Sequence, residues 1–373
     1  MMKFSLIGPI YPYRGGISHY TYYLDRALQH AGHETQVISF KRQYPRWLYP
    51  GTTDQDPSRI ALKSNAVFTL DPFYPWTWFS SEQQIASWKP DLVIIQWWTP
   101  FWGVPFGVIS NRLVKDDIST VYMIHNVLPH EQSPLDRWFA KSALSRGNAF
   151  ITQTIPQKER LMKLIPGALV QVCEHPIYSQ FSINQPTKLD ARRSLGLPEQ
   201  GTILLFFGIV RPYKGLNIVL EALHHLKNAA LEPHLVIAGE FWENITAYQS
   251  RIAELGLIDQ IHLVNRYIPN EEVDYYFSAA DVLLAPYTGG TQSGVISLGF
   301  GYGIPMIISE KAAEGITTGE LNNISIVPTA DAQSLAAGIQ SFIEKPLPVR
   351  RKSTTDFQDW ERLIRVLESF VHQ

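Results

Sequence analysis

Two cations, Arg211 and Lys214, lie three positions apart in the second half of the chain. They follow residues 204–207, an apolar and aromatic run that is typical of a strand buried on both faces. Residues 216–223, just after them, carry apolar side chains at helical spacing. A loop between a buried strand and a helix start binds anions, because free N–H groups and the positive helix end point out of it. With a guanidinium and an ammonium added, this loop is predicted to bind a phosphate or diphosphate.

Two other loops precede a helical pattern and offer backbone donors to a ligand. Gly15 and Gly16 stand between the first predicted strand and a helix, and paired glycines let a ligand approach the backbone closely. Ser293 and Gly294 stand just before a second predicted helix, where a hydroxyl and N–H groups would form another phosphate cradle. A plain turn at the glycine pair and a solvated surface loop around Arg211 remain the simpler alternatives.

A histidine, His125, follows the buried run at residues 120–124. The carboxyl end of a parallel strand is where open α/β sheets bind ligands, so His125 is a candidate for contact with substrate. The alternative is a structural histidine of the core. His130 and Glu131 follow it and are weaker candidates.

Strand and helix patterns alternate along the chain, which predicts an α/β fold. Residues 149–154 are taken as the last strand of the first domain, and residues 357–371 as an amphipathic terminal helix. The predicted strands are residues 4–8, 34–40, 92–96, 120–124, 149–154, 204–207, 235–240, 261–268, 281–286 and 306–309.

The length of 373 residues is too great for one compact core and favours two domains. A stretch of mixed polarity with proline and serine, from His175 to Lys188, is the predicted crossing. We therefore expect domains at residues 1–182 and 183–350, followed by a terminal helical segment at 351–373.

Composition narrows the class of protein. With 45% hydrophobic and 18% charged residues the chain is an ordinary globular protein, and a net charge of -2 argues against a nucleic-acid partner. The single cysteine, Cys173, excludes an intrachain disulfide framework and favours the cytoplasm. Two long uncharged runs, residues 92–111 and 282–309, are interrupted by proline, glycine and polar residues, so no transmembrane segment is predicted.

Aromatic residues cluster in two segments of the first half. Residues 41–51 combine them with basic side chains, and residues 73–79 are dominated by aromatic rings. Such segments suit sugar stacking or the interface of a membrane, and the simpler alternative is that they fill gaps beside the core.

The stretch Gly208-x-x-Arg211-x-x-Lys214-Gly215 resembles the G-x-x-x-x-x-K-G stretch of the retaining, nucleotide-sugar-dependent glycosyltransferases of group 1, or family 4. The resemblance covers nearly the whole chain and is strongest from residue 203 to 305. It implies the GT-B fold: two facing Rossmann-like domains, with a C-terminal helix that crosses back to the first.

The family likeness also assigns roles to individual residues. It implies that Arg211 and Lys214 hold the donor diphosphate and that His125 faces the transferred sugar, which makes these three the predicted catalytic residues. The loop at 265–268 would line the base pocket. The predicted donor-binding residues are Gly15, Gly16, Gly208, Glu240, Arg266, Tyr267, Thr291, Gln292, Ser293, Gly294 and Val295.

The sequence departs from the family at two positions. The common form has two glutamates separated by seven residues, one on the donor sugar and one on the ribose, and their places fall on Gly290 and Leu298. Residues 291–294 resemble a variant found in a branch of the family, in which phosphate binding survives.

The predicted function is therefore transfer of a sugar, with retention, from a nucleotide-diphosphate sugar to a glycan, lipid-linked or small-molecule hydroxyl. No metal-ligand cluster is visible and no cofactor is expected besides the donor substrate. A cytoplasmic location is expected, with peripheral contact to the inner face of the membrane as a further hypothesis. A nucleotide-sugar epimerase of the same fold and a non-catalytic sugar-nucleotide-binding protein are the alternatives.

Overall fold

The structure is a computed structural model and describes residues 1–59, 62, 64–129, 134–176, 186–290, 293–314, 316, 322–349 and 358–371. The chain divides into two units. Met1–Asp56, Ala61–Pro176 and Phe357–Gln373 form the first, and Pro57–Ile60 and Ile177–Asp356 form the second.

The strands form where apolar runs are continuous, as expected for sheets covered on both faces. The run Leu92–Trp97, for example, is buried along its whole length, and so is Ile203–Phe207. In chain order the strands are Lys3–Ile7 (β1), Glu34–Phe40 (β2), Val67–Leu70 (β3), Leu92–Trp97 (β4), Thr120–Ile124 (β5), Ala149–Thr152 (β6), Val170–Val172 (β7), Ile203–Phe207 (β8), His234–Ala238 (β9), Ile261–Val264 (β10), Val282–Ala285 (β11), Met306–Ser309 (β12) and Ile324–Val327 (β13).

The helices connect these strands and cover the sheets with their apolar faces. None of the helices in the described ranges is long and apolar enough to cross a membrane. In chain order they are Gly16–His30 (α1), Pro75–Trp88 (α2), Gly103–Lys115 (α3), Pro134–Leu144 (α4), Ile155–Leu164 (α5), Lys188–Ser194 (α6), Leu216–Asn228 (α7), Ile245–Glu254 (α8), Asn270–Ala279 (α9), Gly294–Tyr302 (α10), Glu310–Ala313 (α11), Ala332–Glu344 (α12) and Gln358–Val371 (α13).

Both sheets follow the Rossmann-like order. The first unit has a sheet of order β3-β2-β1-β4-β5-β6-β7, and the second has the order β10-β9-β8-β11-β12-β13. All of these strand pairings are parallel. The order reverses between β1 and β4 and between β8 and β11, and ligands bind at such switch points, beyond the carboxyl ends of the strands. The predicted α/β fold with two Rossmann-like domains is confirmed.

Three strands were not predicted from the sequence, and each of them is an edge strand of its sheet. β3 and β7 are the two edges of the first sheet and β13 is one edge of the second. Each is short and partly exposed, so it lacks the continuous apolar run of an inner strand. The expectation that residues 149–154 form the last strand of the first domain is wrong, because β7 pairs beyond β6.

The terminal helix α13 packs in the first unit, as the predicted fold requires. Its Trp360 is fully buried, with its ring centroid 5.2 Å from that of Tyr20 on α1. Glu368 Oε1 lies 3.1 Å from His33 Nε2, and Arg362 Nη1 lies 3.6 Å from Glu174 Oε1. One large aromatic side chain, supported by polar contacts, therefore joins the end of the chain to its beginning.

Truncation of Trp360 tests this attachment. Trp360→Ala is expected to lower the free energy of unfolding of the first unit by roughly 3–5 kcal/mol, because a fully buried ring is lost and leaves a cavity. Arg365→Ala on the exposed face of the same helix is expected to change it by less than about 0.5 kcal/mol. Urea unfolding followed by tryptophan fluorescence and circular dichroism measures both. Equal stability of the two variants would contradict the packing.

Candidate functional site

The loop after β8 is shaped by backbone hydrogen bonds to the loop after β9. The N–H of Gly208 donates to the carbonyl of Ala238 at 2.9 Å, and Val210 N–H donates to Glu240 O at 2.9 Å. Gly208 has φ +86°, a conformation that favours glycine. The chain then makes one 3₁₀ turn, Pro212–Lys214, and α7 begins after Gly215.

Two glycines allow the neighbouring loops to pack backbone against backbone. A Cβ placed on Gly239 would lie 2.1 Å from the carbonyl oxygen of Gly208, and one on Gly215 would lie 2.3 Å from that of Pro286. Side chains at either position would push the loops after β8, β9 and β11 apart. These loops therefore meet at the switch point of the second sheet.

The ammonium of Lys214 is at the centre of this meeting point. A Cβ on Gly208 would lie 3.2 Å from Lys214 Nζ and 3.1 Å from Val295 Cγ2, so all three residues converge. Nζ also lies 5.9 Å from the ring centroid of Tyr287. Within the described ranges, no carboxylate lies in ion-pair distance of Lys214. The structure thus brings together three of the predicted residues, Gly208, Lys214 and Val295. The ammonium of Lys214 has no ion-pair partner among the described residues.

Burial, together with the positive charge of Arg211, lowers the pKa of Lys214 to about 8. The side chain is only 7% exposed. A buried cation costs free energy unless it is paired. An anion bound beside it would therefore recover solvation that folding removed, and a diphosphate supplies the required charge.

Arg211 lies beside two aromatic rings. Its guanidinium carbon is 5.5 Å from the ring centroid of Trp242 and 5.9 Å from that of Tyr213. Trp242 Nε1 in turn donates to Glu240 Oε2 at 2.9 Å. The predicted donor-binding residue Glu240 is buried and orients the indole on which Arg211 packs.

The start of α10 supplies the other side of the candidate site. Ser293 Oγ accepts from the N–H of Ile296 at 3.4 Å and caps the helix, while the Tyr287 hydroxyl lies 3.0 Å from the same oxygen. The first N–H groups of a helix have no partner within the helix, and here they belong to Gly294 and Val295. The structure places a capped helix start at these residues, and their role as a phosphate cradle stays a prediction. Thr291 and Gln292 lie outside the described residues.

The two positions at which the family has glutamates are unlike each other in this structure. Gly290 has φ +89°, so a side chain there would strain the backbone. Leu298 is half-buried within α10. Both replacements thus fit their local surroundings, and neither provides an acid for a sugar or ribose hydroxyl.

Arg266 and Tyr267, predicted to line a base pocket, follow β10. Arg266 makes an ion pair with Glu272 on α9, and this hydrogen bond raises its pKa. Tyr267 is half-buried in the same loop. The carboxylate thus neutralises the arginine, and the contribution of both residues to base binding stays a prediction.

In the first unit, Gly15 and Gly16 form the start of α1. Gly15 has φ +106° and precedes the helix without a side-chain cap, and Gly16 is its first residue. A Cβ placed on either glycine would meet no heavy atom within 4 Å. The glycine pair thus lies beside the switch point between β1 and β4, and its contact with donor phosphates stays a prediction.

His125 follows β5 in the first unit and is nearly buried. Its Nε2 lies 2.6 Å from Gln96 Oε1, so this nitrogen donates the hydrogen bond, and its carbonyl accepts from Gln157 Nε2 at 2.8 Å. Burial lowers its pKa to about 3, with the charge of His175 acting in the same direction. At neutral pH His125 is therefore an uncharged, oriented imidazole, and its contact with a sugar stays a prediction. The weaker candidates His130 and Glu131 lie outside the described residues.

Three residues of the site were missed by sequence reasoning: Gly239, Trp242 and Tyr287. Each stands within four positions after the end of β9 or β11. The carboxyl end of a central parallel strand is the signal that could have found them. The packing of Trp242 on Arg211, however, depends on the hydrogen bond of Trp242 to Glu240. The spacing of residues in the sequence does not predict this contact.

Comparison with known families separates the chain into the same two halves. The model described as Glycosyltransferase Family 4 matches residues 14–177, and the model described as Glycosyl transferases group 1 matches residues 187–358. The second match contains Gly208, Arg211, Lys214 and the start of α10.

Individual relatives are distant. A 2-deoxystreptamine glucosyltransferase of Streptomyces kanamyceticus is 22% identical over 281 residues, covering 70% of each chain. A D-inositol 3-phosphate glycosyltransferase of Stackebrandtia nassauensis is 26% identical over 227 residues, covering 58% of this chain and 49% of the relative. The chain thus spans between about half and seven tenths of the lengths of these relatives.

A solved structure shares the fold over the whole chain. Anabaena HepE in complex with UDP-glucose superimposes with a TM-score of 0.69 at 15% identity, covering 100% of this chain and 98% of that one.

Substitution of Gly208 separates backbone strain from blockage of the site. Gly208 and Gly201 both have φ +86°, but a Cβ on Gly201 meets nothing within 4 Å. Alanine at either position is expected to cost about 1–2 kcal/mol of unfolding free energy. Only Gly208→Ala, which crowds Lys214 and Val295, is expected to abolish the rise in melting temperature that nucleoside diphosphates produce.

Thermal unfolding with and without a panel of nucleoside diphosphates measures this difference. If Gly208→Ala were stabilised by the nucleotides as strongly as Gly201→Ala, the ligand would not lie against Gly208.

Proposed function

We propose that this chain, which belongs to the group 1 and family 4 glycosyltransferases, transfers a sugar from a nucleotide-diphosphate sugar to a hydroxyl acceptor with retention at the anomeric carbon. The observation that carries the proposal is the buried ammonium of Lys214, which has no carboxylate partner among the described residues and faces Gly208 and the start of α10. This arrangement suits a diphosphate more than any uncharged ligand.

Sugar transfer breaks the bond between the anomeric carbon and a phosphate oxygen of the donor. Negative charge then develops on the leaving nucleoside diphosphate, while positive charge develops on the sugar ring. Lys214, Arg211 and the N–H groups at the start of α10 are already oriented in the protein, so they stabilise that negative charge without reorganising solvent. The second unit therefore has the groups needed to activate the leaving group.

The donor proposal is supported by the comparison structure, in which HepE holds UDP-glucose. In this proposal the first unit binds the acceptor. The acceptor is a glycan, a lipid-linked glycan or a small molecule with a free hydroxyl. Retention is proposed without an assigned protein nucleophile. Gly290 and Leu298 stand where the family often has the glutamates that contact the donor sugar and the ribose, so those contacts are assigned to no carboxylate here.

A transfer assay with a panel of uridine, adenosine and guanosine diphosphate sugars tests the function. Release of the nucleoside diphosphate, slow with water and faster with a suitable hydroxyl acceptor, is the expected result. Nuclear magnetic resonance of the product is expected to show the same anomeric configuration as in the donor. Conversion of the donor to an epimer without any acceptor would contradict the proposal, and so would tight donor binding without turnover on any acceptor.

Substitution of Lys214 tests the catalytic role within the assay. Lys214→Ala is expected to lower turnover by roughly 10²–10³-fold, the effect of removing one oriented donor to a developing anion. Lys345→Ala, which removes an exposed cation of the same unit, is expected to leave turnover unchanged. Circular dichroism verifies that both variants are folded. Wild-type turnover in folded Lys214→Ala would remove this residue from the mechanism.

A further inference from the structure

A groove of about 420 Å³ crosses the helical face of the first unit, between α2, α3 and α4. Its base is formed by α3, with Val104 and Val108 at the surface. Phe79 of α2 forms one wall and Trp138 of α4 the other. Neither the donor loops nor His125 line it, so the proposed transfer reaction does not account for it.

Two glycines of α3 create the groove. A Cβ placed on Gly103 would lie 2.3 Å from the carbonyl oxygen of Phe139, and one on Gly107 would lie 2.7 Å from that of Ser142. α4 therefore packs directly on the backbone of α3, with no side chain between them at these positions. The surface of α3 consequently lies below the aromatic side chains of its neighbours.

The groove changes from apolar to basic along its length. Val104 and Val108 lie in the first half of α3, and Arg112 and Lys115 lie in the second half. Arg146, just after α4, joins them at the basic end. α2, α3 and α4 each follow the carboxyl end of a strand, so the apolar end lies toward the edge of the sheet where α1 begins.

Two of these cations are not neutralised by the protein. Arg112 Nε donates to Glu82 Oε2 at 2.6 Å and its guanidinium lies over the ring of Phe79, so its charge is compensated. Arg146 Nη1 donates to the neutral Asn111 Oδ1 at 3.1 Å. Within the described ranges, neither Lys115 nor Arg146 has a carboxylate in ion-pair distance. The basic end of the groove is therefore electrostatically suited to a phosphate.

Large exposed apolar side chains lie on α2 and α4, the two helices that form the walls of the groove. Trp138 is 61% exposed, and Leu135, one turn before it on α4, is 65% exposed. On α2, Trp76 is 63% exposed and Phe79 is 41% exposed. Contiguous exposed apolar side chains on a folded domain mark an interaction surface. Tryptophan beside lysine and arginine is the composition that favours the interface of a lipid bilayer.

We propose that this groove docks the first unit on an anionic phospholipid bilayer. A lipid phosphate would lie against Lys115 and Arg146, while Trp76 and Trp138 would lie at the level of the headgroups. The carboxyl edge of the first sheet, toward which the apolar end of the groove lies, would then be close to the membrane surface. The docking itself is independent of the proposed function. One consequence rests on that function: the acceptor is reached at the membrane surface.

Flotation with lipid vesicles tests the docking without any substrate. At low salt the full chain is expected to float with vesicles of phosphatidylcholine and phosphatidylglycerol. With vesicles of phosphatidylcholine alone it is expected to remain in the bottom fraction of the gradient. Lys115→Gln with Arg146→Gln is expected to weaken this partition roughly 30-fold, since two cations near an anionic leaflet are removed. Trp76→Ala with Trp138→Ala is expected to weaken it as well.

A matched control uses α5 of the same unit. Arg160→Gln with Lys163→Gln makes the same change of charge on exposed residues outside the groove and is expected to leave flotation unchanged. Absence of flotation with anionic vesicles would overturn the proposal, as would equal losses in the groove and control variants.

Different measurements test the membrane docking and the proposed function, so either proposal can be contradicted without the other. Groove variants are expected to keep wild-type release of nucleoside diphosphate with water or a soluble acceptor, and Lys214→Ala is expected to float like wild type. Loss of donor turnover in the groove variants would contradict the docking assignment and would leave the catalytic role of Lys214 standing.

Discussion

The buried ammonium of Lys214 is the constraint around which the second unit is arranged. Gly208 and Gly215 give the loop its shape, and Gly239 lets the next loop pack on it, so that the lysine is enclosed without a carboxylate partner in the described part of the chain. Its pKa is lower in the folded chain than in the unfolded one. Between pH 8 and the ordinary lysine range the unfolded state binds more protons, so this residue makes the ligand-free chain more stable as pH rises. The buried charge therefore reduces the stability of the ligand-free chain near neutral pH.

The amino-acid sequence predicts those parts of the site that depend on local pattern. A buried strand, a glycine, two cations and a helix start lie close together in the chain, so their spacing predicts an anion-binding loop. The choice of Gly208, Arg211 and Lys214 over a solvated surface loop also depends on the resemblance to the family. The edge strands β3, β7 and β13 were not predicted, because half-exposed strands of three or four residues carry no distinct periodicity. Tyr287 and Trp242 were also not predicted, because their contacts with Lys214 and Arg211 arise from packing between loops that are distant in sequence.

The site also shows how a family pattern can change without loss of its main electrostatic feature. Gly290 and Leu298 replace the acidic positions, yet Ser293 still caps α10 and Tyr287 holds its hydroxyl. The helix start is therefore held by contacts of Ser293 with Ile296 and Tyr287. Glu240, a predicted donor-binding residue, accepts a hydrogen bond from Trp242.

The most direct test of the central claim is the ionisation of Lys214 itself, measured by nuclear magnetic resonance on lysine-labelled protein and assigned with Lys214→Ala. Without ligand, its pKa is expected to be about 8. With a saturating nucleoside diphosphate it is expected to rise by at least about one unit, because the bound anion favours the charged form. An ordinary lysine pKa that the nucleotide does not change would contradict the account.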